Sequence, residues 1–271
     1  MSDSFGSWQL DALLAVGGLG EVWRARRERS GELKLAAVKR LHTHLIRNDD
    51  ARAQFALEQR LTTTLPHHPN LVHAIEAEDV EGRPYVALEL VPGEDLRRIV
   101  IPPPSDAPEQ HTVIIPRSRA IAIVVAACDG AAHLHAHGWI HGDINPSNLV
   151  IDPQPTGDRV VLVDLGVSRP IDEAGTVRGT HAYMAPEQIR GEAWTRASDV
   201  FALGVVMWEL AAGKRLFHRG PPWLSMAAVI ESEVPALPDA ALDAVVRAAL
   251  AKDAAARTPT PAELAAALRA L

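Results

Sequence analysis

HGDINPSN at residues 141–148, followed after a short hairpin by VLVDLG at 161–166, is the stretch from which the rest of the chain is read. It sets Asp143, Asn148 and Asp164 into one short run. One carboxylate can receive a hydroxyl proton, while an amide oxygen and a second carboxylate hold magnesium on a nucleoside triphosphate. Those are the working groups of phosphoryl transfer. Such a site needs further parts, and each can be looked for.

A triphosphate requires backbone amides that approach it closely. Gly17, Gly18 and Gly20 lie in LLAVGGLGEVW (13–23), between two strand-like stretches, and the missing Cβ permits that approach. Taken alone, the run reads as an ordinary hairpin turn. LAAVK (35–39) then brings Lys39, one of only four lysines (Lys34, Lys39, Lys214, Lys252). A point charge suits the α and β phosphates, and it needs a carboxylate to stay placed and charged. Glu58 is the candidate partner. It sits in DARAQFALEQRLTTTL (50–65), where Phe55, Leu57, Leu61 and Leu65 are spaced as on an amphipathic helix. Singly, Lys39 reads as a solvated strand end and Glu58 as a helix-surface residue; in series they read as a pair.

In this order the parts resemble a eukaryotic-type protein kinase of the bacterial serine/threonine branch, whose signature set runs through essentially the whole chain. The resemblance implies a two-lobed α+β fold. Residues 1–91 would form an N-terminal lobe with a five-stranded antiparallel sheet and helix C, residues 92–271 a mainly helical C-terminal lobe, with ATP in the cleft. It assigns the glycine loop to Leu14, Ala15, Val16, Gly17, Gly18, Leu19, Gly20, Glu21 and Val22. Ala37, Lys39, Glu58, the gatekeeper Leu88, Glu89 and Val91 of the hinge, and Val150 complete the nucleotide-binding set. Asp143 is the catalytic base, and Asn148 and Asp164 bind Mg2+. GTHAYMAPE (179–187) matches the end of the activation segment, with Thr180 beside the catalytic aspartate. Asp199 matches a buried aspartate of helix F, and Arg257 an arginine that pairs with Glu187. The implied cofactors are ATP and Mg2+, and the implied partner is a protein bearing a serine or threonine hydroxyl.

Three positions depart from the family pattern. Gly142 stands where most members carry an arginine that can pair with a phosphate on the activation segment, so phosphorylation of Thr176 is expected to be dispensable. Asn145 stands where a catalytic lysine reaches the transferring phosphate. An amide donates a hydrogen bond without charge, and loss of one preorganised donor costs on the order of 10²- to 10³-fold, so the enzyme is expected to be slow. Ala15 replaces the first glycine of the loop, whereas Leu165 in DLG keeps an apolar plug. Besides a protein kinase, two readings stay open. One is an ATP-binding pseudokinase or scaffold, suggested by Gly142 and Asn145. The other is a phosphotransferase of the aminoglycoside or choline kinase type, whose HGD-and-asparagine pattern His141, Gly142, Asp143 and Asn148 also fit; the GTHAYMAPE segment speaks against it.

Composition narrows the partners. A net charge of −7 over 271 residues provides no basic field for nucleic acid. The single cysteine, Cys128, falls in an apolar helix pattern and is expected to be packed, as befits a reducing cytoplasm. MSDSFGSWQL lacks the pattern of a targeting segment, and no apolar run reaches the roughly 20 residues of a membrane span. A cytoplasmic protein is therefore expected, of unspecified oligomeric state. IPPPSDAPEQHTVIIP (101–116) reads as a surface loop, and DPQPTGDR (152–159) as a lengthened hairpin turn. His133, His135 and His137 crowd a helix end at a spacing zinc can use, but read more simply as structural or exposed. His141 is expected to pack beside Leu165.

Overall fold

The computed structural model describes residues 3–100 and 115–271, and these divide into two compact units: Met1–His68 with Val72–Pro92, and Pro69–Leu71 with Gly93–Leu271. The segment expected to form the surface loop thus falls largely outside the described residues.

The first unit is an antiparallel sheet with one helix. Its strands are β1 (Asp3–Phe5), β2 (Trp8–Val16), β3 (Gly20–Arg29), β4 (Glu32–Leu41), β5 (Ala74–Val80) and β6 (Arg83–Glu89), in the order β1-β2-β3-β4-β6-β5, and the helix is α1 (Asp49–Thr64). The five expected strands are β2–β6. The sixth, β1, pairs Phe5 with Trp8 at the sheet edge, where Phe5 meets Tyr85 edge-to-face at 5.5 Å. Strand alternation sorts the side chains by face. Ala36 and Val38 join Trp8, Leu10 and Ala25 in one core, so Ala37 and Lys39 point to the other face. Asn48 opens α1 by accepting from the Ala51 amide at 2.9 Å, and Asp49 and Asp50 favour its positive end. Its buried face carries Ala51, Phe55, Glu58, Leu61 and Thr62.

The second unit is mainly helical. It holds β7 (Glu94–Asp95), α2 (Leu96–Val100), α3 (Arg117–Ala136), β8 (Trp139–Ile140), β9 (Leu149–Gln154), β10 (Gly157–Leu162), β11 (Arg169–Pro170) and the helices α4 (Pro186–Ile189), α5 (Arg196–Ala212), α6 (Pro222–Glu231), α7 (Ala240–Ala249) and α8 (Pro261–Arg269). Residues 69–71 go with this unit because Asn70 accepts from the Leu162 amide at 3.0 Å and donates to the Val160 carbonyl at 2.8 Å. Helix α5 is buried from Ala197 through Leu210, as an apolar pattern on all sides requires. It ends at Gly213, whose φ of 63° forms a left-handed cap. The lengthened hairpin is β9–β10, closed by Pro155 and Thr156 between paired Gln154 and Gly157. Among the described residues no helix is long and apolar enough to cross a membrane.

Candidate active site

In the first unit, register lines the expected nucleotide-binding residues along one face. Ala15 lies opposite Val22, Val22 opposite Lys39, and Ala37 opposite Leu88. Lys39 Nζ donates to both Glu58 oxygens at 2.6 and 2.7 Å. The two side chains are 10% and 1% exposed, so Glu58 is a buried partner rather than a surface glutamate. The loop from Val16 to Gly20 is closed by Gly17 N donating to Gly20 O at 2.8 Å, and the His42 amide donates to Leu19 O at 2.9 Å. Its glycines serve different ends. A Cβ on Gly20 would lie 2.3 Å from the Arg40 carbonyl oxygen, whereas one on Gly18 would meet nothing within 4 Å. Only the latter leaves room for a ligand. Glu21 accepts from Arg40 and Arg83, both at 2.8 Å, which tethers the loop's far end to the sheet. Glu89, expected in the hinge, closes β6, its amide donating to His73 O at 3.1 Å.

In the second unit, Asp143, Asn145 and Asn148 are drawn together by their own turn. Asn145 Oδ1 accepts from Ser147 N at 2.9 Å, starting a 3-10 turn, Pro146–Asn148. Asn148 Nδ2 donates to the Asp143 carbonyl at 2.8 Å and to Asp143 Oδ2 at 3.3 Å, which leaves the amide oxygen as its acceptor. Val163 N donates to the Asn148 carbonyl at 2.9 Å, setting Asp164 beside the turn. Asp164 is exposed, with φ at 65°. Magnesium keeps several waters and binds through one or two protein oxygens plus phosphates, and the Asn148 amide oxygen and Asp164 carboxylate form that kind of donor set. Val150 follows on β9, partly buried.

Burial pushes the Asp143 carboxyl above the usual aspartate range, and the Asp164 charge adds to this against the opposing bond from the Thr180 amide. That bond, Thr180 N to Asp143 Oδ1, is 2.8 Å. The loop itself hangs on Asp199 of α5. Asp199 accepts from His135 Nε2 at 2.7 Å and from the amides of His141 and Gly142, each at 2.9 Å. Burial alone would raise its pKa, but the His135 bond and the nearby histidines hold it below the usual range. His141 is fully buried with Leu165, its Nε2 3.2 Å from the Val163 carbonyl.

His135 was not distinguishable from its neighbours in sequence. It turns inward to Asp199, while the rings of His133 and His137 meet at 4.7 Å. No group of three metal-binding His, Cys, Asp or Glu occurs among the described residues. Arg257 donates to Glu187 at 2.8 and 3.1 Å, and Ser198 Oγ donates to the same carboxylate at 2.8 Å. Burial raises and Arg257 lowers the Glu187 pKa, leaving it below the usual range.

Gly142 has a reason that sequence does not display. Its φ is +79°, and a Cβ would lie 2.3 Å from Trp194 Cζ3. The fully buried Trp194 ring therefore fills the space beside the position where an arginine is expected. The Arg169 guanidinium lies over the same ring, 3.9 Å from its centroid. Arg169 Nη1 donates to the Ala174 carbonyl at 2.8 Å, and a Cβ on Gly175 would overlap the same guanidinium. Backbone bonds fasten this segment as well: Asp172 N to Trp194 O at 2.8 Å and Trp194 N to Glu173 O at 3.1 Å. Thr176 follows, exposed.

Comparison with known proteins agrees with this geometry. A family model described as a protein kinase domain matches residues 8–246. The chain is 36% identical over 279 residues to the serine/threonine-protein kinase PknB of Mycolicibacterium smegmatis, covering 95% of this chain and 41% of that protein. It is 34% identical over 285 residues to a probable serine/threonine-protein kinase, CE0033, of Corynebacterium efficiens, covering 97% and 41%. Against PknA of Mycobacterium tuberculosis the identity is 33% over 245 residues, 86% of this chain and 53% of the relative. The chain thus spans about two-fifths to half the length of these relatives.

Proposed function

The chain belongs to the protein kinase domain family, and from that premise we propose that it transfers the γ-phosphate of ATP to serine or threonine hydroxyls of a protein. The observation that carries the proposal is the Asp143 carboxylate, held by the Thr180 amide at 2.8 Å and backed by Asn148. Family members use ATP with Mg2+, and we assign the nucleotide-holding residues of 1–91 and the transferring residues of 92–271 to the two lobes.

The division of labour follows from the side chains. Lys39, placed by Glu58, pairs with the α and β phosphates. The open backbone at Gly18 lets loop amides reach the triphosphate, with Leu14, Ala15, Val16, Gly17, Leu19 and Val22 around it. To the base we assign Ala37, Leu88, Glu89 and Val91 of the first unit and Val150 of the second. Asn148 and Asp164 would hold magnesium, which would supply charge neutralisation on the phosphates. Asp143 accepts the hydroxyl proton of the substrate. An exposed hydroxyl on a protein is the acceptor favoured by Thr180 standing beside that base, and the relatives' names are those of serine/threonine kinases.

Two refinements belong to the same reading. Turnover is slow, because Asn145 brings no charge to the transferring phosphate. The activation segment needs no phosphate on Thr176, because Trp194 fills the space at Gly142 and Arg169 already grips the Ala174 carbonyl.

The test is an ATP-dependent phosphorylation assay on casein and on the chain itself, with sites mapped by mass spectrometry, for wild type beside Asp143→Asn. Wild type should label serine or threonine. The variant should lose transfer while ATP still stabilises its fold. ATP that stabilises the wild type without any transfer would favour a scaffold, and label found only on an aminoglycoside or choline would favour a metabolite kinase.

A further inference from the structure

Asn145 occupies the position of a phosphate-reaching lysine, yet its side chain faces the other way. The residue is 3% exposed. Its Oδ1 is committed to Ser147 N at 2.9 Å. An amide nitrogen has two hydrogens, and three acceptors surround Nδ2: the Asp143 carbonyl at 3.0 Å, Asp143 Oδ1 at 3.1 Å and Thr180 Oγ1 at 3.0 Å. Both ends of the amide are bonded to protein partners among the described residues, which account for both of its hydrogens.

The effect falls on the two oxygens of Asp143 unequally. Oδ1 receives Thr180 N at 2.8 Å and Asn145 Nδ2 at 3.1 Å. Gly179 closes the same side, since a Cβ there would stand 3.1 Å from Oδ1. Among the described residues Oδ2 receives only a 3.3 Å approach from Asn148 Nδ2, which has a shorter bond to the Asp143 carbonyl.

We propose that Asn145 is a positioning residue that ties the Asp143 carboxylate to the Thr180 hydroxyl and leaves Oδ2 as the atom that receives the substrate proton. The inference rests on the kinase reading above. In the step it serves, the substrate O–H bond breaks with its proton passing to Oδ2, the oxygen forms a bond to the γ-phosphorus, and the bond from that phosphorus to the β-phosphate oxygen breaks to release ADP. Asn145 touches none of the reacting atoms. It fixes the rotation of the group that does.

The experiment compares Asn145→Ala, Asn145→Asp, Thr180→Val and the Asn145→Ala/Thr180→Val double variant with wild type. Aspartate keeps the acceptor for Ser147 N and so preserves the turn, but removes both donors. Asn145→Ala and Asn145→Asp should each lower kcat by about ten- to a hundredfold, the worth of a hydrogen bond to a charged group. KM and Kd for Mg·ATP should stay at the wild-type value. The Asn145→Ala and Thr180→Val losses should be non-additive, because both cut one tie. Independently of turnover, hydrogen exchange at the Thr180 amide should quicken in both Asn145 variants as the carboxylate it bonds loosens. Full kcat in Asn145→Asp would reduce the residue to a turn cap and overturn the proposal. So would a several-fold rise in KM for ATP at unchanged kcat, the mark of a nucleotide contact, or unaltered exchange at Thr180. If wild type transfers no phosphate the kinase reading fails, while exchange at Thr180 still decides whether the tie exists.

Discussion

Replacing Gly142 by alanine probes the packing that stands where the family carries an arginine. The new Cβ would lie 2.3 Å from Cζ3 and 2.9 Å from Cε3 of Trp194, against about 3.5–4.0 Å for carbons at rest. Overpacking of a filled interior costs about 1–3 kcal/mol. A left-handed backbone at φ +79° adds about 1–2 kcal/mol for a residue with a Cβ. The expected loss is thus about 2–5 kcal/mol, a large share of the roughly 5–15 kcal/mol that holds a domain together. Trp194→Ala should itself cost about 3–5 kcal/mol. In its background, however, alanine at 142 meets no ring and retains only the backbone part, so the two changes should be coupled by about 1–3 kcal/mol. Equilibrium denaturation of the two single variants, the double variant and wild type closes the cycle. Strictly additive losses, or a Gly142→Ala protein as stable as wild type, would refute the assignment of Trp194 to that space.

Two further outcomes are expected. Thr176→Ala should retain its transfer rate to within about threefold, measured as initial velocity on casein; near-complete loss would mean that a phosphate on the segment is required after all. Arg257→Met should cost about 3–5 kcal/mol because it strands the buried Glu187 carboxylate, and its deficit should depend on pH. Glu187 sits below its ordinary pKa, so the pair stabilises fully above the unfolded glutamate value and less as pH falls through the folded one. Thermal melts should therefore bring variant and wild type together in acid.

Much of the site is local in sequence, and that is why it could be read. Asp143, Asn145 and Asn148 share one turn, and Asp164 follows one hairpin later, so spacing alone places them. Lys39 and Glu58 were legible as a pair because a strand and the next helix are close in the chain. What escaped detection depends on contacts between distant positions. His135 differs from His133 and His137 only in which way the helix turns it, and its partner Asp199 is 64 residues away. Gly142 reads as a missing arginine until Trp194 is seen against it. The lysine substitution at Asn145 announced a lost charge, but not that the amide would be buried and bonded to Thr180, 35 residues on. The additional strand β1 was hidden for another reason: three residues are too few for alternation to show.

Arg169 has a bearing on control. A threonine tether made by adding phosphate is erasable, since a phosphatase returns the segment to its loose state. The guanidinium that grips the Ala174 carbonyl over the Trp194 ring is encoded in the chain and has no such eraser. On the proposed reading, ordering of this segment would be inherited at folding rather than conferred afterwards, and dephosphorylation would leave it standing.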